Sequence, residues 1–600
     1  MPESRTSSGG QSPWERLTRM GFERFGRGAA REAEQLLRQA LAEAESLGED
    51  DPRLAVSLAN LGDLLRRLGR QSEAEELLGR AVGTAERQAG AGGPEQASNL
   101  ASSLMALAAL CRDGHRDAEA AEHLARARGI LERAFGPRFE GLAAVLVCEA
   151  DLMQRHNRFD AAEQALVRAL DILNPSDGEP HPQAAGVEME LGALLARLHR
   201  VEEAENHFRA AVDRLRPAAG GRPAALAGAL LNLAAFLEDR GRFAEAEPLI
   251  AEALNLQKTA SGPQDPGVAE SLGRLARLNR ALGRMDRAVA FQEQAVAALE
   301  RTAGPDHPDY AAGLSALGRL YMETGRLSEA QTALQEALRI RRQVFGSLHP
   351  ETAWSHNDLG DLWRAVRRFD QAESHYMQAL NSMQGALGGD HPLVAAVLNN
   401  AAGLLLATGR IAEAGQFTER ALRICETHIG PLDPHTAMCL NNQAEVLLAC
   451  GRPAAALTAA ERALEILETA LGREHPSLSA ALINLARIRR EMGSPAEAEA
   501  CLERALAVQT GRLGSEHPDL AATLLHLADL LKQQERWVEA GRRYLSAIEL
   551  LEKHFGRHSV QLIEPLEGYA DLLRRRGLEE QARAVQRQAA AIHNKLSRME

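Results

Sequence analysis

The sequence predicts an all-α protein, folded as a right-handed α-solenoid superhelix of about fourteen antiparallel helix pairs. Glycine recurs every 42 residues along most of the chain, alanine recurs in the same phase, and His-Pro or Asp-Pro opens many of the repeats. Each repeat holds two amphipathic segments with helical spacing of apolar residues. Two such helices cannot bury their apolar faces alone, so the repeats must stack on one another.

Composition supports this fold and excludes several classes of protein. Of the 600 residues only 4% are aromatic, and the net charge is −13, with 69 basic and 82 acidic side chains. An acidic chain without a basic stripe is not expected to bind nucleic acid. No apolar run approaches the ~20 residues of a membrane span, so we expect no membrane partner. The six cysteines show no paired spacing, which favours reduced thiols in a cytoplasmic protein.

The repeat from His391 to Gly430 illustrates the elements in order. His391-Pro392 opens a first helix, because proline suits a position whose N–H would lack a partner in any case. Gly409 ends that helix, and a second amphipathic helix runs from about Ile411 to His428. Gly430 closes the repeat, where a left-handed residue without Cβ is favoured.

The closing glycine keeps the register of the whole array. One interval of 46 residues, between Gly90 and Gly136, interrupts the period of 42 and predicts a local distortion. The turn between the two helices of a repeat is usually glycine as well, but Arg367 and Glu535 replace it in two repeats. We expect these two residues to adopt a less favourable left-handed turn.

The register divides the chain into a disordered tail, residues 1–13, and a continuous array, residues 14–597. The tail is polar and lacks the apolar core of a signal peptide. The final repeat is expected to act as a cap, because its last helix is unusually polar. The predicted repeats are approximately 14–48, 52–90, 94–136, 137–178, 181–220, 223–262, 265–304, 307–346, 349–388, 391–430, 433–472, 475–514, 517–556 and 559–597.

Two segments carry a resemblance to a known family. LANLGDLLRRLGRQSEAEELLGRAV, from Leu58 to Val82, resembles a tetratricopeptide repeat. ALEILETALGREHPSLSAALINLA, from Ala463 to Ala486, is similar to the 42-residue repeats of kinesin light chains. The resemblance implies a non-catalytic scaffold that binds a peptide segment or a protein in a concave groove lined by the first helices. The chain lacks the coiled-coil segment of kinesin light chains, which favours a stand-alone relative.

The resemblance also implies which positions face the groove. Asparagine occupies one such position at Asn400, Asn442 and Asn484, and a neighbouring position at Asn357, Asn399 and Asn441. A carboxamide can pair with an extended peptide backbone of any sequence, so these residues form a candidate ladder. The alternative is that asparagine is simply common at this position of such repeats.

Selectivity for a ligand would come from charges three residues further along each first helix. Arg277, Arg319 and Arg487 could receive an acidic segment, whereas Asp529 and Asp571 could receive a basic one. The alternative for each charge is a solvated helix face. Trp354 could anchor an apolar ligand residue, and we expect Trp363 to lie in the core.

The sequence predicts no metal site, cofactor or catalytic centre. His435, Cys439 and Cys450 are the one local group that might hold a metal, but no fourth ligand is evident. There is no HExxH, GxSxG or phosphate-binding GK[ST] motif, so we do not expect an enzyme. The leading function is a protein-binding scaffold. The alternatives are a sensor whose superhelix changes pitch on binding a small peptide, and a structural protein that self-assembles, although we favour a monomer.

Overall fold

The computed structural model describes residues 12–26, 29–89, 93–174, 181, 183–217, 223–262, 264–557 and 559–597. These residues form twenty-eight α-helices and one 3-10 turn, and no β-strand occurs among them. The helices pack as fourteen consecutive antiparallel pairs, so the predicted all-α repeat fold is confirmed. The chain divides into two compact units, Met1–Arg222 and Pro223–Glu600.

The first unit contains five helix pairs. Its helices are α1 (Pro13–Gly26), α2 (Ala30–Ser46), α3 (Pro52–Arg67), α4 (Gln71–Ala89), α5 (Pro94–Asp113), α6 (Asp117–Phe135), α7 (Gly141–Arg155), α8 (Phe159–Leu173), α9 (Ala184–Arg197) and α10 (Val201–Leu215). Most of the predicted tail, residues 1–11, lies outside the described residues, and α1 begins at Pro13.

The second unit contains nine pairs. Its helices are α11 (Pro223–Asp239), α12 (Phe243–Ser261), α13 (Pro266–Ala281), α14 (Met285–Thr302), α15 (Pro308–Glu323), α16 (Leu327–Phe345), α17 (Pro350–Ala365), α18 (Phe369–Leu387), α19 (Pro392–Ala407), α20 (Ile411–His428), α21 (Pro434–Ala449), α22 (Pro453–Leu471), α23 (Leu478–Glu491), α24 (Pro495–Leu513), α25 (Leu520–Gln533), α26 (Trp537–Phe555), α27 (Ile563–Arg575) and α28 (Glu579–Ser597), with a 3-10 turn at Val560–Leu562.

Small residues bring the two helices of each pair close together. The periodic alanines of the second helices, such as Ala330 and Ala372, are fully buried. Across the pair, a Cβ placed on Gly318 would lie 2.7 Å from the side chain of Leu334, and one on Gly360 would lie 2.7 Å from the ring of Tyr376. Glycine is therefore required at these positions, because a large apolar side chain of the second helix fills the space.

The predicted capping of the first helices is confirmed. The carboxylate of Asp265 accepts a hydrogen bond from the N–H of Gly267 at 2.7 Å. The Nδ1 atom of His391 accepts one in the same way from Leu393 at 3.2 Å. His-Pro and Asp-Pro thus combine a side-chain acceptor with a proline that has no N–H to satisfy, which defines where α13, α15, α17, α19 and α21 begin. Helices α23 and α25 begin two residues after the proline of their His-Pro pair.

The turns between paired helices have the predicted left-handed backbone. Gly325 and Gly409 have φ values of 73° and 76°, and Arg367 and Glu535 are held at 61° and 60° without glycine. The unfavourable turns expected at Arg367 and Glu535 are therefore present. His115, Asn157 and His199 adopt the same conformation in the first unit, which the sequence analysis did not anticipate.

The four extra residues after Gly90 lengthen a helix. Helix α5 has 20 residues, whereas α3 has 16. Four residues are about one helical turn, so the first helix of this pair extends by a turn. Gly90 itself lies outside the described residues.

Within the second unit, helix pairs that are six repeats apart come into contact. His517, at the start of α25, packs against the turn between α13 and α14, and its Nε2 lies 2.9 Å from the main-chain oxygen of Ala281. Gln561 donates a hydrogen bond to the main-chain oxygen of Glu323 at 3.1 Å. Six helix pairs therefore complete one superhelical turn of this unit, and successive turns touch.

Candidate functional site

A cleft of about 840 Å3 lies between the first helices α13 and α15, with α14 beneath it. Its walls are open because seven of the residues that α13 and α15 contribute are glycine or alanine. These residues are Gly267, Ala269, Gly273, Ala276, Ala312, Gly313 and Ala316. A cleft of this kind admits an extended chain, since the missing side chains leave backbone-sized space between neighbouring first helices.

Three arginines line the cleft, and two of them are engaged within the protein. The guanidinium of Arg280 lies 2.7 Å from the carboxylate of Glu323, and that of Arg319 lies 3.0 Å from Asp358. Arg277 is exposed and makes no ion pair with any residue that the structure describes. Of the predicted groove arginines, Arg277 therefore has its charge available to a ligand.

The other predicted groove charges lie beside oppositely charged neighbours. Arg487 is 3.3 Å from Glu445 on the preceding first helix. Lys532 bridges Asp529 and Asp571 at 3.0 and 3.3 Å. Because the ion pairs join consecutive first helices, these charges connect neighbouring repeats. Their opposite partners also leave less charge available to a ligand.

Burial shifts the protonation of the carboxylates behind Arg319. Asp358 is buried, and burial raises the pKa of its carboxyl, while the facing guanidinium of Arg319 acts in the opposite direction. Burial likewise raises the pKa of Asp361, although a hydrogen bond from the hydroxyl of Tyr376 at 2.6 Å favours its ionised form. Both acids are therefore engaged within the protein, Asp358 with Arg319 and Asp361 with Tyr376.

The predicted asparagine ladder is only partly open to a ligand. Asn400 donates to the side-chain oxygen of Asn357 at 2.9 Å, and Asn484 is buried with its oxygen 3.3 Å from Arg487. Asn399 donates to the sulfur of Cys439 at 3.0 Å, and the side-chain oxygen of Asn441 is buried without a partner. Asn442 is half-buried and makes no side-chain hydrogen bond with the described residues.

The two tryptophans of α17 both pack against apolar clusters. Trp354 is partly buried against the cluster that contains Val397 and Leu398. Trp363 is partly buried between two clusters, as expected for a core residue, and the guanidinium of Arg368 lies 5.6 Å from its ring. Trp354 therefore contributes to packing whether or not it also contacts a ligand.

Sequence reasoning missed two features of this unit. The sulfur atoms of Cys425 and Cys439 lie 3.2 Å apart, although their spacing of fourteen residues matches no ligand or disulfide motif. A second cleft, of about 780 Å3, lies between successive superhelical turns, with Trp363 and Arg368 on one side and Val560 and Ile563 on the other. Both features arise from contacts between repeats, which a single repeat does not encode.

Neither a metal-binding cluster nor a membrane-spanning helix occurs in the described part of the chain. No group of three or more His, Cys, Asp or Glu side chains there could hold a metal ion. No described helix is long and apolar enough to cross a bilayer.

The paired helices, their left-handed turns and the cleft between first helices define a helix-repeat scaffold. A tetratricopeptide repeat model matches residues 17–87, 225–301, 280–343, 309–384, 364–427, 435–511 and 519–595, and a second such model matches 483–553. The chain therefore belongs to the tetratricopeptide repeat family, as its sequence predicts. Residues 151–262 match the model of anaphase-promoting complex subunit 5. No curated protein matches the chain.

Solved structures with similarity to the chain include the repeats of a putative kinesin light chain and BtubC. Kinesin light chain repeats of Podosopora anserina are 25% identical over 34% of this chain and 97% of theirs, with a TM-score of 0.30. BtubC (BKLC) from P. vanneervenii is 26% identical over 38% of this chain and 90% of its own, with a TM-score of 0.32. The anaphase-promoting complex assembly Cut9-Hcn1 is 15% identical over 94% and 96%, with a TM-score of 0.37.

Proposed function

We propose that this protein is a non-catalytic, cytoplasmic scaffold that binds an extended, acidic segment of a partner protein in the cleft between α13 and α15. Tetratricopeptide repeats serve protein–protein interaction in general, and the match of residues 151–262 to a subunit of a large complex fits that role. The observation that carries the finer proposal is Arg277, an exposed cation at a cleft lined by small residues.

The cleft lining holds as many acidic as basic side chains, so the preference for an acidic ligand depends on Arg277 alone. Arg280 and Arg319 keep their carboxylate partners, and Arg277 adds a positive charge between them. An arginine without an internal partner can bind a carboxylate through two parallel hydrogen bonds. Binding an acidic side chain at Arg277 would therefore cost no existing ion pair.

Of the candidate groove asparagines, we propose Asn442 as the one that contacts the ligand. Its carboxamide makes no hydrogen bond within the described residues, so it can donate to and accept from a peptide backbone. Asn400 and Asn484 would first have to break their hydrogen bonds with Asn357 and Arg487, respectively. We therefore expect Asn442→Ala to weaken a ligand that extends to α21, and Asn484→Ala to act mainly on stability.

The test is selection from a library of unstructured peptides, followed by fluorescence polarisation with the selected sequences. We expect enrichment of Asp and Glu, and a loss of affinity of about tenfold for Arg277→Ala, the usual cost of one charge-assisted hydrogen bond. Arg277→Glu should reverse the preference toward basic peptides. Arg301→Ala is the matched control, because Arg301 is equally exposed on α14 but hydrogen-bonds only its own helix.

Two outcomes would contradict this proposal. Selected peptides without acidic enrichment would show that Arg277 does not select the ligand, and equal binding by wild type and Arg277→Ala would place the ligand elsewhere.

A sensor whose superhelix changes pitch is the second candidate function, favoured by the hydrogen bond between His517 and Ala281 that joins successive superhelical turns. That function predicts a change in the radius of gyration when ligand is added, which a static scaffold does not.

A further inference from the structure

Cys425 and Cys439 form a buried pair of sulfur atoms between two neighbouring helix pairs. Cys425 lies near the end of α20 and Cys439 in the first half of α21, with the sulfurs 3.2 Å apart. Each residue is only 2% exposed. No other two cysteine sulfurs come within hydrogen-bonding distance in the described residues, which include all six cysteines.

The surroundings of the two sulfurs are unequal. The Nδ2 atom of Asn399 donates a hydrogen bond to the sulfur of Cys439 at 3.0 Å. The hydrogen bond from the thiol of Cys425, that from Asn399 and the nearby charge of His435 together lower the pKa of Cys439 to about 7. Hydrogen bonding to Cys439 and burial raise the pKa of Cys425. Cys439 is thus the thiolate of the pair near neutral pH, and Cys425 is its proton donor.

We propose that Cys425 and Cys439 are a redox-active pair that forms a reversible disulfide when a hydroperoxide oxidises the sulfur of Cys439. The Cys439 thiolate attacks the terminal oxygen of the hydroperoxide, the O–O bond breaks, and the leaving oxygen takes a proton to become water or an alcohol. Cys439 is then a sulfenic acid. The sulfur of Cys425 loses its proton and attacks that of Cys439, the S–O bond breaks, and the hydroxide leaves as water. Two thiols and one hydroperoxide thus give one disulfide, one water and the reduced peroxide.

The connection between the helices allows this bond to form. A disulfide requires the sulfurs to approach to about 2.05 Å, a movement of roughly 1.2 Å from their present separation. The loop from Ile429 to Asp433 joins the two helices, and Gly430 in that loop has a φ of 131° with open space around it. A loop of this kind can absorb a small shift of α20 against α21 without disturbing either core cluster. Transient opening of neighbouring repeats admits a small peroxide, because each pair contacts chiefly its neighbours.

Oxidation should change the contacts between helices α19, α20 and α21. In the reduced protein the sulfur of Cys439 accepts from Asn399 on α19, so it joins three consecutive helices. A disulfide sulfur carries no charge and is a weaker acceptor, so Asn399 loses its best partner. The side-chain oxygen of Asn399 is already buried without a hydrogen bond. The disulfide should therefore link α20 to α21 and loosen the contact of α19 with α21.

The test uses the full chain, reduced and then treated with hydrogen peroxide at neutral pH, followed by differential alkylation and mass spectrometry. Trypsin leaves Cys425, Cys439 and Cys450 in one peptide, residues 424–462, because proline follows Arg452. Cleavage after Glu426 and Glu445 is therefore needed to separate the three cysteines. We expect the two cysteines of the pair to become linked, with the loss of two hydrogen atoms, and dithiothreitol to restore them. Cys439 should react at least about tenfold faster than Cys111, whose pKa burial raises.

Single substitutions distinguish the roles of the two sulfurs. Cys425→Ser should leave a sulfenic acid at Cys439 that dimedone traps, whereas Cys439→Ser should leave Cys425 unmodified. Cys501→Ser is the matched control, because it removes another buried thiol and should not affect the linkage. Asn399→Ala should slow oxidation, since Asn399 positions and stabilises the thiolate.

Two results would overturn the proposal. One is oxidation of Cys439 no faster than that of Cys111, and the other is direct conversion of Cys439 to a sulfinic acid in the wild type without a link to Cys425. If the serine variants fail to fold, the rate of alkylation of Cys439 in the wild type decides the matter. That rate should rise with pH around an apparent pKa near 7, and a rise only above pH 8.5 would contradict the assigned thiolate.

Discussion

The imidazole Nε2 of His517 lies 2.9 Å from the main-chain oxygen of Ala281, which precedes it by 236 residues in the chain. The same ring accepts a hydrogen bond from the N–H of Asp519 through Nδ1 at 3.2 Å, so one side chain caps the turn that leads into α25 and joins two superhelical turns. His391 makes the same capping hydrogen bond, from the N–H of Leu393, and α19 begins directly at Pro392. A recurrent capping element has acquired a second contact at His517 because the superhelix brings it opposite the turn six pairs earlier.

Gly283→Ala should disrupt the contact between turns. Its Cβ would lie 2.5 Å from the ring of Pro518, and its φ of 70° already disfavours an L side chain. Gly325→Ala carries the same backbone strain at φ 73°, but nothing lies within 4 Å of its Cβ. We expect faster amide exchange around Pro518 and a larger radius of gyration in solution scattering for Gly283→Ala alone. Equal behaviour of the two variants would show that the turns do not touch in solution.

Changing a glycine of a first helix to alanine should lower the free energy of unfolding at Gly360 and raise it at Gly403. In Gly360→Ala the new methyl would meet the ring of Tyr376 at 2.7 Å, so we expect a loss of about 1–3 kcal/mol of unfolding free energy. Gly403→Ala adds a methyl where nothing lies within 4 Å, and alanine is the better helix former by up to about 1 kcal/mol. Urea titration followed by circular dichroism measures both. A stable Gly360→Ala protein would mean that α17 and α18 can move apart.

Asn279→Leu should stabilise the second unit. Asn279 is fully buried, its amide nitrogen bonds the main-chain oxygen of Leu275, and its own oxygen has no partner. Leucine occupies the equivalent place 42 residues earlier, at Leu237, and three repeats later, at Leu405. Because a buried polar atom without a hydrogen bond costs about 1–3 kcal/mol, we expect a higher melting temperature. Asn279→Ala is the control, since it removes the same amide but leaves a cavity. A melting temperature for Asn279→Leu at or below that of wild type would show that the unbonded oxygen of Asn279 does not destabilise the protein.

Acid should destabilise the region around His356 and His375. Their Nδ1 atoms lie 3.0 Å apart, so one ring donates to the other only while at least one is neutral. Burial, followed by the charges of His375 and Arg342, lowers the pKa of His356 from 6.5 to about 4, and burial lowers that of His375. The folded state therefore binds fewer protons than the unfolded state between pH 6.5 and 4. Stability should fall as the pH falls through this window and should not change above it.

The size of the acid effect can be bounded. The shift at His356 corresponds to at most about 3 kcal/mol, and to less where solvent reaches the ring. Amide exchange of α17 and α18 measured from pH 7.5 to 4.5 reports the local stability. His356→Gln lacks the titrating ring, so its pH dependence should be flatter than that of the wild type. Parallel curves for the two proteins would assign the acid sensitivity to other groups.

The sequence by itself determined the repeat, the helix pairs and the conformation of most turns. His-Pro and Asp-Pro predict the start of five first helices, from α13 to α21, and the left-handed turns at Arg367 and Glu535 follow from the register alone. These features depend on contacts within one repeat or with the next, whose spacing of 42 residues is visible in the chain. The resemblance to tetratricopeptide repeats identified Arg277, Arg319 and the asparagines as candidates for the groove.

Only the tertiary structure decided which of those candidates are free. Arg319 is paired with Asp358, Asn400 with Asn357, and the sulfurs of Cys425 and Cys439 meet. The structure also brought His517 to Ala281 across six repeats. Such contacts depend on the small rotation that accumulates from one helix pair to the next, which follows from side-chain packing between pairs and leaves no periodic trace in the sequence.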